Sequence, residues 1–148
     1  MGNRINKRQI ESMIVLFFLC SLIVLSLNID IRTISYADYY GELHYSDEFM
    51  SGGEDFVALF VAFFLFIPVS ILYAINIFKH IKFAFFILII STLIQLLFIH
   101  IWFESSSIFL NLLYGTVKIK LWIITFGVIL FYAIIKIVIS VSNFIKDM

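Results

Sequence analysis

Four long apolar segments, separated by polar or charged stretches, dominate the pattern of hydrophobic and polar positions along the chain. A helix needs roughly 20 residues, at about 1.5 Å each, to cross a hydrocarbon core of about 30 Å, and each segment approaches or exceeds that length. A backbone in lipid must satisfy its own hydrogen bonds, which a helix does. The pattern therefore predicts four transmembrane helices, at about residues 11–29, 56–78, 83–103 and 121–141.

The composition agrees with this pattern. Hydrophobic residues make up 63% of the 148 residues and charged residues only 14%, and the mean hydropathy is +1.09. A soluble domain has close to twice that charged fraction. The predicted fold class is an all-α membrane protein, in which residues 1–148 form a single integral membrane domain. Its bundle of four transmembrane helices carries an acidic extracytoplasmic loop, over about residues 30–55, between the first two helices.

The basic residues in the short flanks predict the orientation, because cytoplasmic loops carry an excess of Lys and Arg. Four crossings place both termini on one side. That side would hold six basic residues and the other side three: Arg4, Lys7, Arg8, Lys79, Lys82 and Lys146 against Arg32, Lys118 and Lys120. The prediction is a multi-pass protein of a bacterial inner membrane with both termini in the cytoplasm. Lys118 and Lys120 count against it.

One charge, Lys136, interrupts the fourth apolar segment. A lysine costs about 2.5 to 3.5 kcal/mol at the centre of a membrane helix, less than the surrounding apolar residues contribute. Lys136 lies towards the C-terminal end, where its long side chain could reach the headgroups. The sequence therefore predicts a snorkelling lysine. No carboxylate lies deep in any predicted helix, which argues against a proton-coupled carrier.

The tract of residues 35–56 contains six of the ten carboxylates and four of the seven tyrosines, but no Lys or Arg. Tyrosine combines an apolar ring with a polar hydroxyl and is enriched where proteins meet. Two interpretations stay open, a partner-binding loop and a merely solvated connector. The candidate partner-binding residues are Tyr36, Asp38, Tyr39, Tyr40, Glu42, His44, Tyr45, Asp47 and Glu48.

Small and polar residues inside the apolar segments are candidates for helix packing, since membrane helices associate through close backbone contact and interhelical hydrogen bonds. In the second segment they recur every four residues, with one interruption. In the third they form a short polar patch. The full set is Ala58, Ala62, Ser70, Ala74, Ser91, Thr92 and Gln95. His100 and Glu104, four residues apart, form a candidate ion pair at the outer face.

The motifs that enzymes need do not occur in the sequence. There is no paired-cysteine motif, no Ser/His/Asp set, no phosphate-binding Gly-rich loop and no His/Cys metal cluster. We therefore predict a non-enzymatic protein, with no catalytic residues, no cofactor, no metal site and no nucleic-acid partner. Its predicted partners are the lipid bilayer and either another membrane protein or further copies of itself.

Two classes of function remain. The first is an accessory, interaction or protective protein that acts through contacts with another membrane protein. In layout, with four apolar helices, short turns and a polar outer loop, the chain is similar to immunity proteins against pore-forming colicins, although it has no motif of that family. That resemblance implies protection against a pore-forming bacteriocin. The second class is an oligomeric channel or transporter subunit that lines a path with Asn76, Ser91, Thr92 and Gln95.

Overall fold

A computed structural model of the chain describes residues 6–28, 34–45, 54–81, 83–102 and 105–146. Within these ranges the protein consists of five α-helices and one two-stranded antiparallel sheet. In chain order the elements are α1 (Lys7–Asn28), β1 (Ile34–Ala37), β2 (Leu43–Tyr45), α2 (Glu54–Phe78), α3 (Ala84–Trp102), α4 (Ser105–Tyr114) and α5 (Val117–Lys146).

Two of the helices are long and apolar enough to cross a membrane. α1 meets this condition over Lys7–Leu27 and α5 over Val117–Asn143. Among the described residues, α2 and α3 contribute the shorter apolar stretches Phe63–Phe78 and Ala84–Leu97. The predominantly helical fold is thus confirmed, and among the described residues two helices are both long and apolar enough to cross a membrane.

Several helices extend beyond the predicted apolar segments. α1 begins at Lys7 instead of about residue 11. The Asn6 backbone N–H donates to Gln9 Oε1 at 2.8 Å, and the Gln9 backbone N–H donates to the Asn6 carbonyl at 2.8 Å, which is the arrangement of a helix cap. α5 likewise runs past 121–141 at both ends. Hydropathy marks the part of a helix that suits lipid, whereas caps decide where the helix begins.

The core forms where α1 packs against both α2 and α5, and α2 packs against α3. Leu19, Phe66 and Leu88 are fully buried there, and the Trp122 and Phe126 rings stack 5.6 Å apart. By contrast, the outer surface exposes a great many large apolar side chains. Large apolar patches are rare on soluble monomers, so this surface suits a lipid environment.

The loop predicted between the first two helices contains the β1–β2 hairpin, an element that the all-α prediction did not include. The short helix α4 lies between the third and fourth predicted segments. The turn that follows it requires a glycine, because a Cβ at Gly115 would lie 2.3 Å from the Asn111 carbonyl oxygen. Val117, Lys118 and Lys120 therefore belong to the first turn of α5.

Candidate functional site

The turn that joins β1 to β2 is held by its own hydrogen bonds. Asp38 Oδ1 accepts the backbone N–H of Tyr40 at 2.9 Å and that of Glu42 at 2.8 Å. The Gly41 N–H donates to the Asp38 carbonyl at 3.1 Å. Gly41 has φ of +84°, a conformation that glycine adopts without strain. A β-turn followed by a left-handed glycine is a common three-residue hairpin loop, so the sequence encodes this turn locally.

This turn presents two tyrosines to the surroundings. Tyr39 is 98% exposed and Tyr40 is 88% exposed. Their rings meet edge to face, with centroids 5.6 Å apart, and the carboxylates of Asp38 and Glu42 flank them. Tyrosine is among the residues that contribute most to protein interfaces, because a rigid ring buries a large area at little entropic cost. Two such rings on an ordered turn form a surface suited to a partner.

A buried side chain of α4 fixes the base of the hairpin. Asn111, which is 3% exposed, accepts the Ile34 backbone N–H at 3.0 Å and donates to the Ile34 carbonyl at 2.8 Å. Its carboxamide thus offers β1 the donor and acceptor that a neighbouring strand would offer. The ladder is irregular between Ile34 and Tyr36. The hairpin is therefore anchored to the helices as well as closed at its tip.

The backbone N–H of Glu42, with that of Tyr40, holds the pKa of Asp38 below its ordinary value of 3.8, and His44 adds a smaller contribution. Because the folded-state pKa is lowered, the carboxylate stabilises the turn above pH 3.8, and this contribution is lost as the pH falls through the lowered pKa.

We expect the Tyr40 and Glu42 amide protons to exchange slowly at pH 5 and faster near pH 2, relative to their intrinsic rates. NMR in detergent micelles measures this. The Asp38→Asn variant should lose the pH dependence, and a turn equally ordered at pH 2 would contradict the assignment.

The structure places the other predicted partner-binding residues as follows. His44 Nε2 lies 3.7 Å from Asp38 Oδ2, beside the turn, and His44 is the register partner of Tyr36 across the sheet. Asp47 and Glu48 lie outside the described residues, and only the backbone of Tyr36 and Tyr45 is described. Of the predicted outer-face pair, Glu104 lies outside the described residues and only the backbone of His100 is described. The predicted loop site is therefore represented by the turn and its immediate neighbours.

The predicted packing residues lie mainly inside the bundle. Ser70, Ser91 and Thr92 are buried, and Gln95 is completely enclosed. The hydroxyls of Ser70 and Thr92 donate to carbonyls of their own helices, Phe66 at 2.7 Å and Leu88 at 2.9 Å. Ala74 is half-buried, while the side chains of Ala58 and Ala62 lie outside the described part.

Sequence reasoning missed a polar cluster between α1 and α5. Lys136, predicted to snorkel, is ion-paired with Glu11, and Tyr132 donates its hydroxyl hydrogen to the same carboxylate. The sequence analysis did not include this partner, because it interpreted Lys136 within its own segment. The available signal was that Glu11 and Lys136 have opposite charges and lie on segments whose termini were predicted to share one side.

No protein-family model, curated protein or solved structure matches the chain. Any functional conclusion must therefore come from the chemistry of its own residues.

Proposed function

We propose that the chain is a small multi-pass protein of the bacterial inner membrane, with four spans and both termini in the cytoplasm. It acts without catalysis, as an accessory or protective protein that binds another membrane protein through the turn of residues 38–42. A protein that blocks a pore-forming toxin would be one form of such an interaction.

The observation that carries this proposal is the exposure of Tyr39 and Tyr40 on a turn that its own hydrogen bonds hold in place. A merely solvated connector does not require the hydrogen bonds that Asp38 accepts within the turn or those that Asn111 forms with Ile34. A turn that is already ordered loses little conformational entropy on binding, which favours affinity. The neighbouring carboxylates favour a partner with a basic or hydrogen-bond-donating surface.

The alternative of a channel or transporter subunit has weaker support. Its path would be lined by Asn76, Ser91, Thr92 and Gln95, and all four are buried within a single copy of the chain. Two of them have their polar atoms bonded within that copy: Asn76 to Ser12, and Thr92 to carbonyls of α3. Side chains engaged in this way favour a packed bundle over a path shared between copies.

Crosslinking in native membranes tests the proposal. A photoreactive amino acid at position 39 is expected to capture one discrete partner protein, and Tyr40→Ala should reduce that capture at least tenfold, since a central tyrosine of an interface contributes about 2 kcal/mol or more.

The matched control is Tyr114, which is also exposed but lies at the end of α4. A photoreactive residue at position 114 should not give the same adduct, and Tyr114→Ala should leave the position-39 adduct unchanged. If position 39 captured only further copies of the chain, the channel class would replace the proposal.

A further inference from the structure

A polar cavity of about 290 Å³ lies at the end of the bundle remote from the hairpin. It is a partly open pocket, and the start of α1, the end of α2 and its connection to α3, the start of α3 and the C-terminal half of α5 line it. Its volume is just below the roughly 300 to 1,000 Å³ typical of ligand sites. Charged and polar side chains line it, among them Arg8, Glu11, Tyr73, His80, Tyr132 and Lys136.

Hydrogen bonds between helices fix the walls of this cavity. Asn76 donates to Ser12 Oγ at 2.8 Å and accepts the Ile81 backbone N–H at 2.8 Å. Gln9 donates to the Ile77 carbonyl at 3.1 Å. These bonds join α1 to the end of α2 and to the connection that follows it. The cavity is therefore formed in advance of any ligand.

The cationic groups exceed the anionic ones in this cavity. The carboxylate of Glu11 is already engaged by Lys136 and Tyr132. Arg8 brings a second cation, and its Nε atom is buried without a hydrogen-bond partner among the described residues. A buried donor without a partner costs free energy that an acceptor would recover. A guanidinium also matches the geometry of a phosphate group.

An apolar groove of about 460 Å³ adjoins the cavity along the face shared by α1 and α5. Cavity and groove have Glu11, Tyr132 and Lys136 in common, so both border the ion pair. Beyond that point the groove is lined by Ile10, Ile14, Val15, Phe18, Val128 and Ile129. An occupant of both would need an anionic head and a long apolar tail.

We propose that the cavity and groove together bind one anionic phospholipid. Its phosphate pairs with Arg8, and Lys7 lines the groove. One acyl chain lies between α1 and α5. Basic pockets between membrane helices are known to recognise anionic headgroups, and this site has the same chemistry. The proposal is independent of the hairpin, because it concerns the opposite end of the bundle.

Native mass spectrometry of the full chain in mild detergent tests this with defined lipids. Phosphatidylglycerol is expected to bind at least about tenfold more tightly than diacylglycerol with the same acyl chains, as a charge-assisted contact to phosphate implies. Arg8→Gln should abolish that preference. Lys79→Gln is the matched control, since Lys79 is an exposed cation at the same end that lines neither the cavity nor the groove, and it should change binding less than twofold.

A second pair of variants tests the groove. Val128→Trp fills it and should weaken phosphatidylglycerol binding severalfold. Val138→Trp, an equally large change at an exposed position of α5 outside the groove, should leave binding unchanged. Should a variant fail to fold, the wild-type chain can be labelled with phosphatidylglycerol that carries a diazirine in its acyl chain. Adducts are then expected at residues 14, 18 or 128, and not at 138.

Other results would overturn the proposal. Equal binding of diacylglycerol and phosphatidylglycerol would remove the role of the phosphate. Displacement of the lipid by millimolar inorganic phosphate would assign the cavity to a free anion. Adducts to a second copy of the chain or to another protein at positions 14 and 128 would assign the groove to a helix. Failure of the hairpin crosslink would leave this proposal untouched.

Discussion

Replacing Glu11 with glutamine is expected to lower the free energy of unfolding by about 2 to 3 kcal/mol. The change leaves Lys136 charged between α1 and α5 without its counter-ion. Removing one partner of a fully buried ion pair costs about 3 to 5 kcal/mol. The expected loss is smaller here because the two side chains are 35% and 33% exposed. Titration of sodium dodecyl sulfate into micelles of the purified protein, followed by circular dichroism, measures it.

A double-mutant cycle separates the ion pair from other effects of the substitution. Lys136→Met alone should also destabilise the protein, since it removes the cation that pairs with the partly buried Glu11 carboxylate. The double variant Glu11→Gln, Lys136→Met should recover to within about 1 kcal/mol of the wild type, because well-packed neutral residues often replace an ion pair without loss. Lys118→Met, at the exposed start of α5, is the control. Additive losses in the double variant would show that the two residues act separately.

Replacing Asn111 with leucine is expected to release the hairpin from α4. The substitution leaves the N–H and the carbonyl of Ile34 buried without these partners, at about 1 to 3 kcal/mol for each group. We expect the free energy of opening the hairpin to fall by about 2 to 4 kcal/mol in total. The effect should be confined to the hairpin, because local elements can open without global unfolding. Hydrogen–deuterium exchange of peptides covering residues 34–45 should accelerate at least tenfold.

The control for this substitution is Asn143→Leu, on an exposed position of α5, which should leave exchange in the hairpin unchanged. Peptides from the centre of α5 should also exchange at the wild-type rate in the Asn111 variant. Unaltered exchange in the hairpin would mean that the sheet is stable without its link to α4.

The apolar segments predicted the positions of four long helices, because the hydrophobicity of a segment can be judged from its own residues alone. Their ends were less predictable. Lys7 and Arg8 are too polar to count as part of an apolar segment, yet they extend α1 because Asn6 and Gln9 cap the first turn. The short helix α4 is followed by a turn that requires a glycine, so Gly115 is a local signal for its end.

The sequence contained a local signal for the turn of the hairpin, but the strands on either side are short and the tract was interpreted by its charge. Asp38 followed three residues later by Gly41 is a turn pattern, but strands of four and three residues are too short for alternation to be detected. The exposure of Tyr39 and Tyr40 follows from that turn. The residues chosen from the acidic, tyrosine-rich composition therefore included this turn without its geometry.

Contacts between distant segments could not be predicted. Asn111 and Ile34 are 77 residues apart, and nothing near Asn111 distinguishes it from an ordinary polar residue of an amphipathic helix. Likewise Glu11 and Lys136 were interpreted separately. Which helices pack side by side depends on the fit of whole surfaces, which hydropathy does not encode.

The link between Glu11 and the distant side chains of α5 has a consequence for biosynthesis. Tyr132 lies 121 residues further along the chain, so most of the polypeptide is translated before either partner of that carboxylate exists. During this interval the nascent α1 must leave its acid in contact with water or headgroups. The packing of α1 against α5 through this cluster is therefore a late step of membrane insertion. A chain held on a ribosome stalled before codon 132 could not form these contacts.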